Sequence, residues 1–239
     1  MAEEESPHTK SSQALTSSAL AKMIDHTNLR PEATRDQIVQ LCREARELGF
    51  CAVVVNACYV EMAAAQLRGC DTKVASVVGF PLGATLSSVK RFEATEAMRL
   101  GASEIDMVMN IGALKSGDRE QVLSDIRLVA QVTHGQGGLL KSILETGLLT
   151  DEEKKVACEL SVTARADYVK TSTGFLGGGA TVADVALMRR IVGSQIGVKA
   201  SGGIRTAADA QAMIKAGANR IGTSSGVKIM QELRRGTKE

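Results

Sequence analysis

The stretch GVKASGGIRTAADAQAMIKAGANRIGTSSG, residues 197–226, carries one full structural repeat and the start of the next. It opens on a short apolar run, 197–201. Thr206 and Asp209 follow at the spacing of a helix capping box, with Asp in place of the usual Glu. Ala216-Gly217-Ala218 then ends the helix, since glycine tolerates the left-handed turn that closes a helix before a short connection. A second apolar run, 220–223, comes next and leads into a Gly/Ser-rich loop. This is the strand–helix–strand order of a parallel sheet.

The same unit recurs on both sides. Runs rich in β-branched and aliphatic residues occupy 23–27, 51–56, 74–79, 104–110, 139–145 and 167–172, making eight with the two above. Most are apolar on both faces, as strands covered by helices should be. Leu48-Gly49-Phe50 and Leu100-Gly101-Ala102 repeat the helix-stop pattern, and Thr150 with Glu153 repeats the capping box. Pro31 fits the first turn of a helix, whose inward face is Ile38, Leu41, Cys42, Ala45 and Leu48. Eight units of roughly 23–34 residues predict an α/β fold, a single (β/α)8 barrel over residues 18–239. The competing doubly wound open sheet normally has fewer strands and a GxGxxG turn after the first, which is missing here. Residues 1–17, acidic and then Ser/Thr-rich, are expected to form a mobile arm and have neither the basic nor the apolar part of a secretory signal.

Composition narrows the function. With 29 basic and 27 acidic residues, 3 % aromatics and no Trp, the chain lacks the basic stripe and stacking platforms of a nucleic-acid binder. No apolar stretch approaches the ~18 residues of a membrane span. Five cysteines (Cys42, Cys51, Cys58, Cys70, Cys158), without CxxC spacing, suit a reducing compartment, so a cytoplasmic location is expected. His8, His26 and His134 lie too far apart in sequence to suggest a metal site, and none is expected.

Charges inside the strand candidates are the informative feature: Asp25, Asp106, Lys141, Lys170 and Lys199. One buried lysine is readily explained as snorkelling or as a structural ion pair. Three, on successive parallel strands next to a strand carrying Asp106, point to chemistry. A nucleophilic amine must be neutral, and an ordinary lysine is free base in only about one part in 2,500 at pH 7. A second ammonium at ~4 Å and effective dielectric ~20 opposes protonation by about 4 kcal/mol, and burial acts in the same direction. Lys170 beside Lys199 therefore suits a Schiff-base nucleophile, with Asp106 relaying protons.

A second cluster falls on the loops after the seventh and eighth runs, Ser201-Gly202-Gly203-Ile204-Arg205 and Gly222-Thr223-Ser224-Ser225-Gly226. Those two loops are the recurrent phosphate site of such barrels. Thr173-Gly174 and Gly177-Gly178-Gly179, after the sixth run, are placed to close over a ligand. Phe80-Pro81-Leu82-Gly83 is read as a turn after the third strand.

Taken together, IDHTNL (24–29), VVGFPLGA (77–84), EIDMVMNIGALKSGD (104–118), LKSILETGLLT (140–150), ADYVKTSTGF (166–175), VKASGGIRT (198–206) and RIGTSSGV (220–227) resemble the class I deoxyribose-phosphate aldolases. The resemblance implies Lys170 as the Schiff-base lysine, Lys199 as the neighbour lowering its pKa and Asp106 as the proton relay. Lys141 and Asp25 would support them. It implies phosphate contacts at Gly174, Gly202, Gly203, Ser224 and Ser225, with Thr173 beside them. It further implies reversible cleavage of 2-deoxy-D-ribose 5-phosphate to acetaldehyde and D-glyceraldehyde 3-phosphate in deoxynucleoside catabolism. No metal or cofactor is implied, and homo-oligomers, dimers or tetramers, are expected. Ala57 departs from the family pattern, where Pro often follows the equivalent of Asn56.

Overall fold

The computed structural model describes residues 16–236. Its strands are β1 (Ile24–Asn28), β2 (Ala52–Val55), β3 (Lys73–Val78), β4 (Glu104–Val108), β5 (Leu139–Ile143), β6 (Tyr168–Lys170), β7 (Gly197–Ser201) and β8 (Arg220–Thr223). All are parallel, each pairs with the next, and β8 pairs with β1 to close the barrel. Every strand falls on one of the eight apolar runs. Closure rules out the open sheet.

Ten helices lie among the described residues: α1 (Ser17–Ala21), α2 (Arg35–Leu48), α3 (Val60–Gln66), α4 (Ser87–Arg99), α5 (Ile111–Lys115), α6 (Arg119–Gly135), α7 (Asp151–Thr163), α8 (Val182–Val192), α9 (Ala207–Lys215) and α10 (Gly226–Gly236). Local chemistry sets their ends. Thr150 with Glu153 and Thr206 with Asp209 form reciprocal capping boxes, and Gly49, Gly101 and Gly217 turn the chain at positive φ. Pro31 does not open α2. That helix starts at Arg35 behind a third capping box, Thr34 with Gln37, and Pro31 lies in the preceding turn. The boundary moves because two reciprocal hydrogen bonds fix a helix start better than a favourable proline φ does. The proposed arm, 1–17, falls outside the described residues up to 15. Thr16 caps α1 through its side chain, so the described structure already begins at 16.

Most of the apolar core lies between the outer face of the sheet and the helices. The lumen is divided. Val54, Ala75 and Val77, on β2 and β3, form a separate small apolar cluster with Leu29. Charged side chains from β1 and β4–β8 occupy the other side, with the Tyr168 ring 5.6 Å from the Arg220 guanidinium.

Candidate active site

Strand register puts Asp106 beside Lys141, Lys170 beside Lys199 and Lys199 beside Arg220, so their side chains share the inner face of the sheet. Contacts between non-adjacent strands place that face in the lumen. Asp106 Oδ2 accepts from Lys170 Nζ and from Lys199 Nζ, both at 2.8 Å, while its Oδ1 accepts from Lys141 Nζ at 3.0 Å. Lys199 also pairs with Asp25, whose Oδ1 accepts from Arg220 Nε at 2.6 Å. Glu104 binds both Arg220, at 2.6 Å, and Lys141. All seven side chains are buried.

Counting charge in this network decides which amine is free to lose its proton. Three carboxylates face four cations, Lys141, Lys170, Lys199 and Arg220. Among the described residues Arg220 touches two carboxylates, as do Lys141 and Lys199, whereas Lys170 touches only Asp106. A buried site favours neutrality, so the least-paired cation yields first. Burial, with further repulsion from Lys199 and Lys141, lowers the Lys170 pKa against the pull of Asp106, to about 8. Burial leads here, and the neighbouring ammonium adds to it. Burial pushes the Asp106 carboxyl up, but Lys141, Lys170 and Lys199 outweigh it and hold it well below the ordinary range. Asp25 follows the same pattern, with Lys199 and Arg220 overcoming burial to bring it to about 2. Burial opposes the charge of Lys141 and Arg220, yet their carboxylates raise both pKa values.

Above this network a cavity of about 750 Å³ opens at the C-terminal ends of the strands. Of the five charged residues singled out from sequence, Lys170 alone lines it. Asp25, Asp106, Lys141 and Lys199 lie beneath as its support. Thr173, Gly174, Gly202, Gly203 and Ser224 line the cavity too, with Arg205 at its edge. Gly174, Gly202 and Gly203 have φ of 82°, 91° and 78°, in the region that favours glycine. The β6 and β7 loops touch. Ala180 N–H donates to Gly202 O at 3.0 Å, and a Cβ on Gly179 would meet that oxygen at 2.6 Å. Ser225 stands apart. Its N–H donates to Thr223 Oγ1 at 2.9 Å at the start of α10, and it does not line the cavity. Phe80 packs edge-on against Phe175 at the cavity rim, with ring centroids 5.2 Å apart.

A family model described as DeoC/LacD family aldolase matches residues 19–232. The chain belongs to that family. It is an enzyme of the aldolase class. The deoxyribose-phosphate aldolase of Halalkalibacterium halodurans is 58 % identical over 215 residues, covering 90 % of this chain and 96 % of that protein. The enzyme of the same name from Thermococcus gammatolerans is 58 % identical over 217 residues, with the same coverages. Among solved structures, the deoxyribose phosphate aldolase from Aeropyrum pernix, described as a unique tetramer, superposes with a TM-score of 0.86 at 35 % identity. Coverage there is 92 % of each chain.

Sequence reasoning missed Glu104 and Arg220. Both carry the same signal as the lysines, a charge inside an apolar run, but at the first position of the run, where a charged side chain is unremarkable. It also missed Glu145, which ends the fifth run and whose carboxylate accepts from the N–H and hydroxyl of Thr173. Among the described residues no group of His, Cys, Asp or Glu is arranged to hold a metal ion. The carboxylates of the lumen are each committed to lysine or arginine.

Proposed function

We propose that this aldolase reversibly cleaves 2-deoxy-D-ribose 5-phosphate to acetaldehyde and D-glyceraldehyde 3-phosphate through a Schiff base on Lys170. The carrying observation is that Lys170 is both the least-paired cation of the buried network and its only lysine lining the cavity. At a pKa of about 8, roughly one Lys170 in ten is free base at pH 7.

The neutral Nζ attacks C1 of the open-chain sugar, and loss of water leaves an iminium. That cation accepts the electron pair of the C2–C3 bond as the C3 hydroxyl gives up its proton and becomes the aldehyde of the departing triose phosphate. The enamine left on Lys170 takes a proton at C2 and is hydrolysed, releasing acetaldehyde and restoring the amine. Asp106 and Lys199, joined at 2.8 Å directly beneath Lys170, are suited to move these protons. Gly174, Gly202, Gly203, Ser224 and Arg205 suit the phosphate, as does Thr173 through the turn it anchors. Ser225, off the cavity lining with its N–H given to Thr223, is not placed to contact the phosphate. Holding the phosphate fixes C1 near Lys170, so remote binding energy goes into positioning.

Reading the products tests this. Acetaldehyde should be released from 2-deoxyribose 5-phosphate, and borohydride with substrate should leave a two-carbon or sugar adduct on Lys170. An active enzyme whose Lys170 stays unmodified would overturn the mechanism. Faster cleavage of keto-sugar phosphates would overturn the substrate. The same reading includes a cytoplasmic role in deoxyribonucleoside catabolism. It also includes assembly into a homo-oligomer, for which Leu86, Val89 and Phe92 leave an exposed apolar face around the start of α4.

A further inference from the structure

We propose that Glu145 is a positioning residue that sets the Thr173–Phe175 turn, so that the Gly174 N–H is presented to the phosphate; this rests on the reading of the site given above. Glu145 stands two residues beyond the C-terminal end of β5, fully buried. Its φ of 57° lies in the left-handed region that residues with a side chain rarely occupy. Among the described residues its carboxylate pairs with no lysine or arginine. Oε2 accepts the Thr173 N–H at 3.1 Å and the Thr173 hydroxyl, while Oε1 has no hydrogen-bond partner among the described residues. A buried carboxylate without a cation, on strained backbone, costs stability. Such costs concentrate where geometry serves a ligand.

The turn shows what that geometry does. Thr173 Oγ1 donates to Glu145 and accepts the Phe175 N–H at 3.1 Å. The peptide N–H groups on either side of Gly174 are thus both consumed inside the protein. Gly174 itself, at φ 82°, takes no hydrogen-bond partner for its N–H within the chain among the described residues, and it lines the cavity. Its backbone also approaches the β7 loop, since a Cβ there would stand 3.9 Å from Gly202 Cα. Removing the Glu145 acceptor frees Thr173 to turn, and the Gly174 N–H loses its fixed direction. The negative charge is not what the phosphate needs, because an anion beside an anion is repelled. The useful property is acceptance of two hydrogen bonds, which an amide oxygen supplies equally well.

Titration of the full chain with inorganic phosphate, followed by calorimetry, tests this without relying on turnover. E145Q should bind phosphate within about threefold of the wild type or more tightly, whereas E145A should bind about tenfold more weakly. T173V, which leaves Glu145 in place, should match E145A, and T173S should restore binding; this pair keeps the test decisive if E145A does not fold. In turnover, the ratio of kcat/KM for 2-deoxyribose 5-phosphate to that for unphosphorylated 2-deoxyribose should fall about tenfold in E145A and T173V and be held in E145Q. Unchanged phosphate binding in folded E145A or T173V overturns the proposal. So does E145Q weakening as much as E145A, and so does an equal loss on both sugars. Wild type that binds phosphate but releases no acetaldehyde would count against the proposed reaction and leave the role of Glu145 standing.

Discussion

Lys170 and Lys199 share one oxygen atom: both ammonium groups donate to Asp106 Oδ2, each at 2.8 Å. Two ammonium groups on one carboxylate oxygen share a single negative charge. Lys199 has Asp25 as a second carboxylate partner, and Lys170 has none among the described residues.

The kcat/KM for acetaldehyde release should rise with pH through an apparent value near 8, as Lys170 loses its proton. K199M removes one cation, so three carboxylates face Lys141, Arg220 and Lys170, and Lys170 becomes a required counter-ion. Its acid limb should then move upward and kcat at pH 7 should fall by about 100-fold. A limb that stays near 8 in K199M counts against the charge argument.

Lys170 should also reduce stability at neutral pH. Its folded pKa of about 8 lies below the ordinary lysine value of 10.5, so below pH 8 the folded state holds a charge it disfavours. Between pH 8 and 10.5 the unfolded chain binds more protons than the folded one, and stability rises with pH. K170M, with its neutral unbranched side chain, should therefore be inactive yet more stable at pH 7, by up to about 3 kcal/mol. The gain should vanish above pH 10.5. Urea titrations at pH 7 and 10.5 measure it, and a K170M less stable than wild type at pH 7 would contradict it.

Gly222 is required for space rather than for its backbone freedom. A Cβ there would lie 2.2 Å from Ser201 Oγ and 3.0 Å from Lys199 Cε. G222A should push Lys199 off Asp106, lowering kcat by about tenfold or more, with a stability loss of about 1–3 kcal/mol. Normal kcat in G222A would show that Lys199 is placed with slack. Thermal melts measured beside the kinetics separate the two effects.

Behind the strands, Lys90 on α4 donates to Asp125 on α6 at 2.5 Å and to Val108 O at 2.9 Å, with both side chains buried. K90M should destabilise by about 3–5 kcal/mol, because it strands a buried carboxylate and a carbonyl. Adding D125L should recover part of that loss. Borohydride trapping on Lys170 should survive in both variants when folded. Loss of trapping in the folded double variant would mean that this pair reaches the chemistry.

The local code of the fold was legible because it acts over a few residues. Thr150 with Glu153, Thr206 with Asp209 and the helix-stopping glycines satisfy helix-end backbone groups within one turn, and the eight apolar runs carry their pattern within a single strand. Pro31 misled because a permissive residue competes poorly with the reciprocal bonds of Thr34 and Gln37. The lysines stood out since a charge in a strand covered on both sides needs a reason.

By itself, then, the sequence determined the element order, the count of eight strands and the loops that carry the glycines. Which charges meet was decided only in three dimensions. Arg220 reaches Asp25 across 195 residues, and Lys199 reaches Asp106 across 93, contacts that exist only once the barrel closes. Strand alternation tells that these side chains face inward, but not which oxygen each will find. That choice, fixed by the packing of seven charged groups into one lumen, leaves Lys170 short of a carboxylate and open to the cavity.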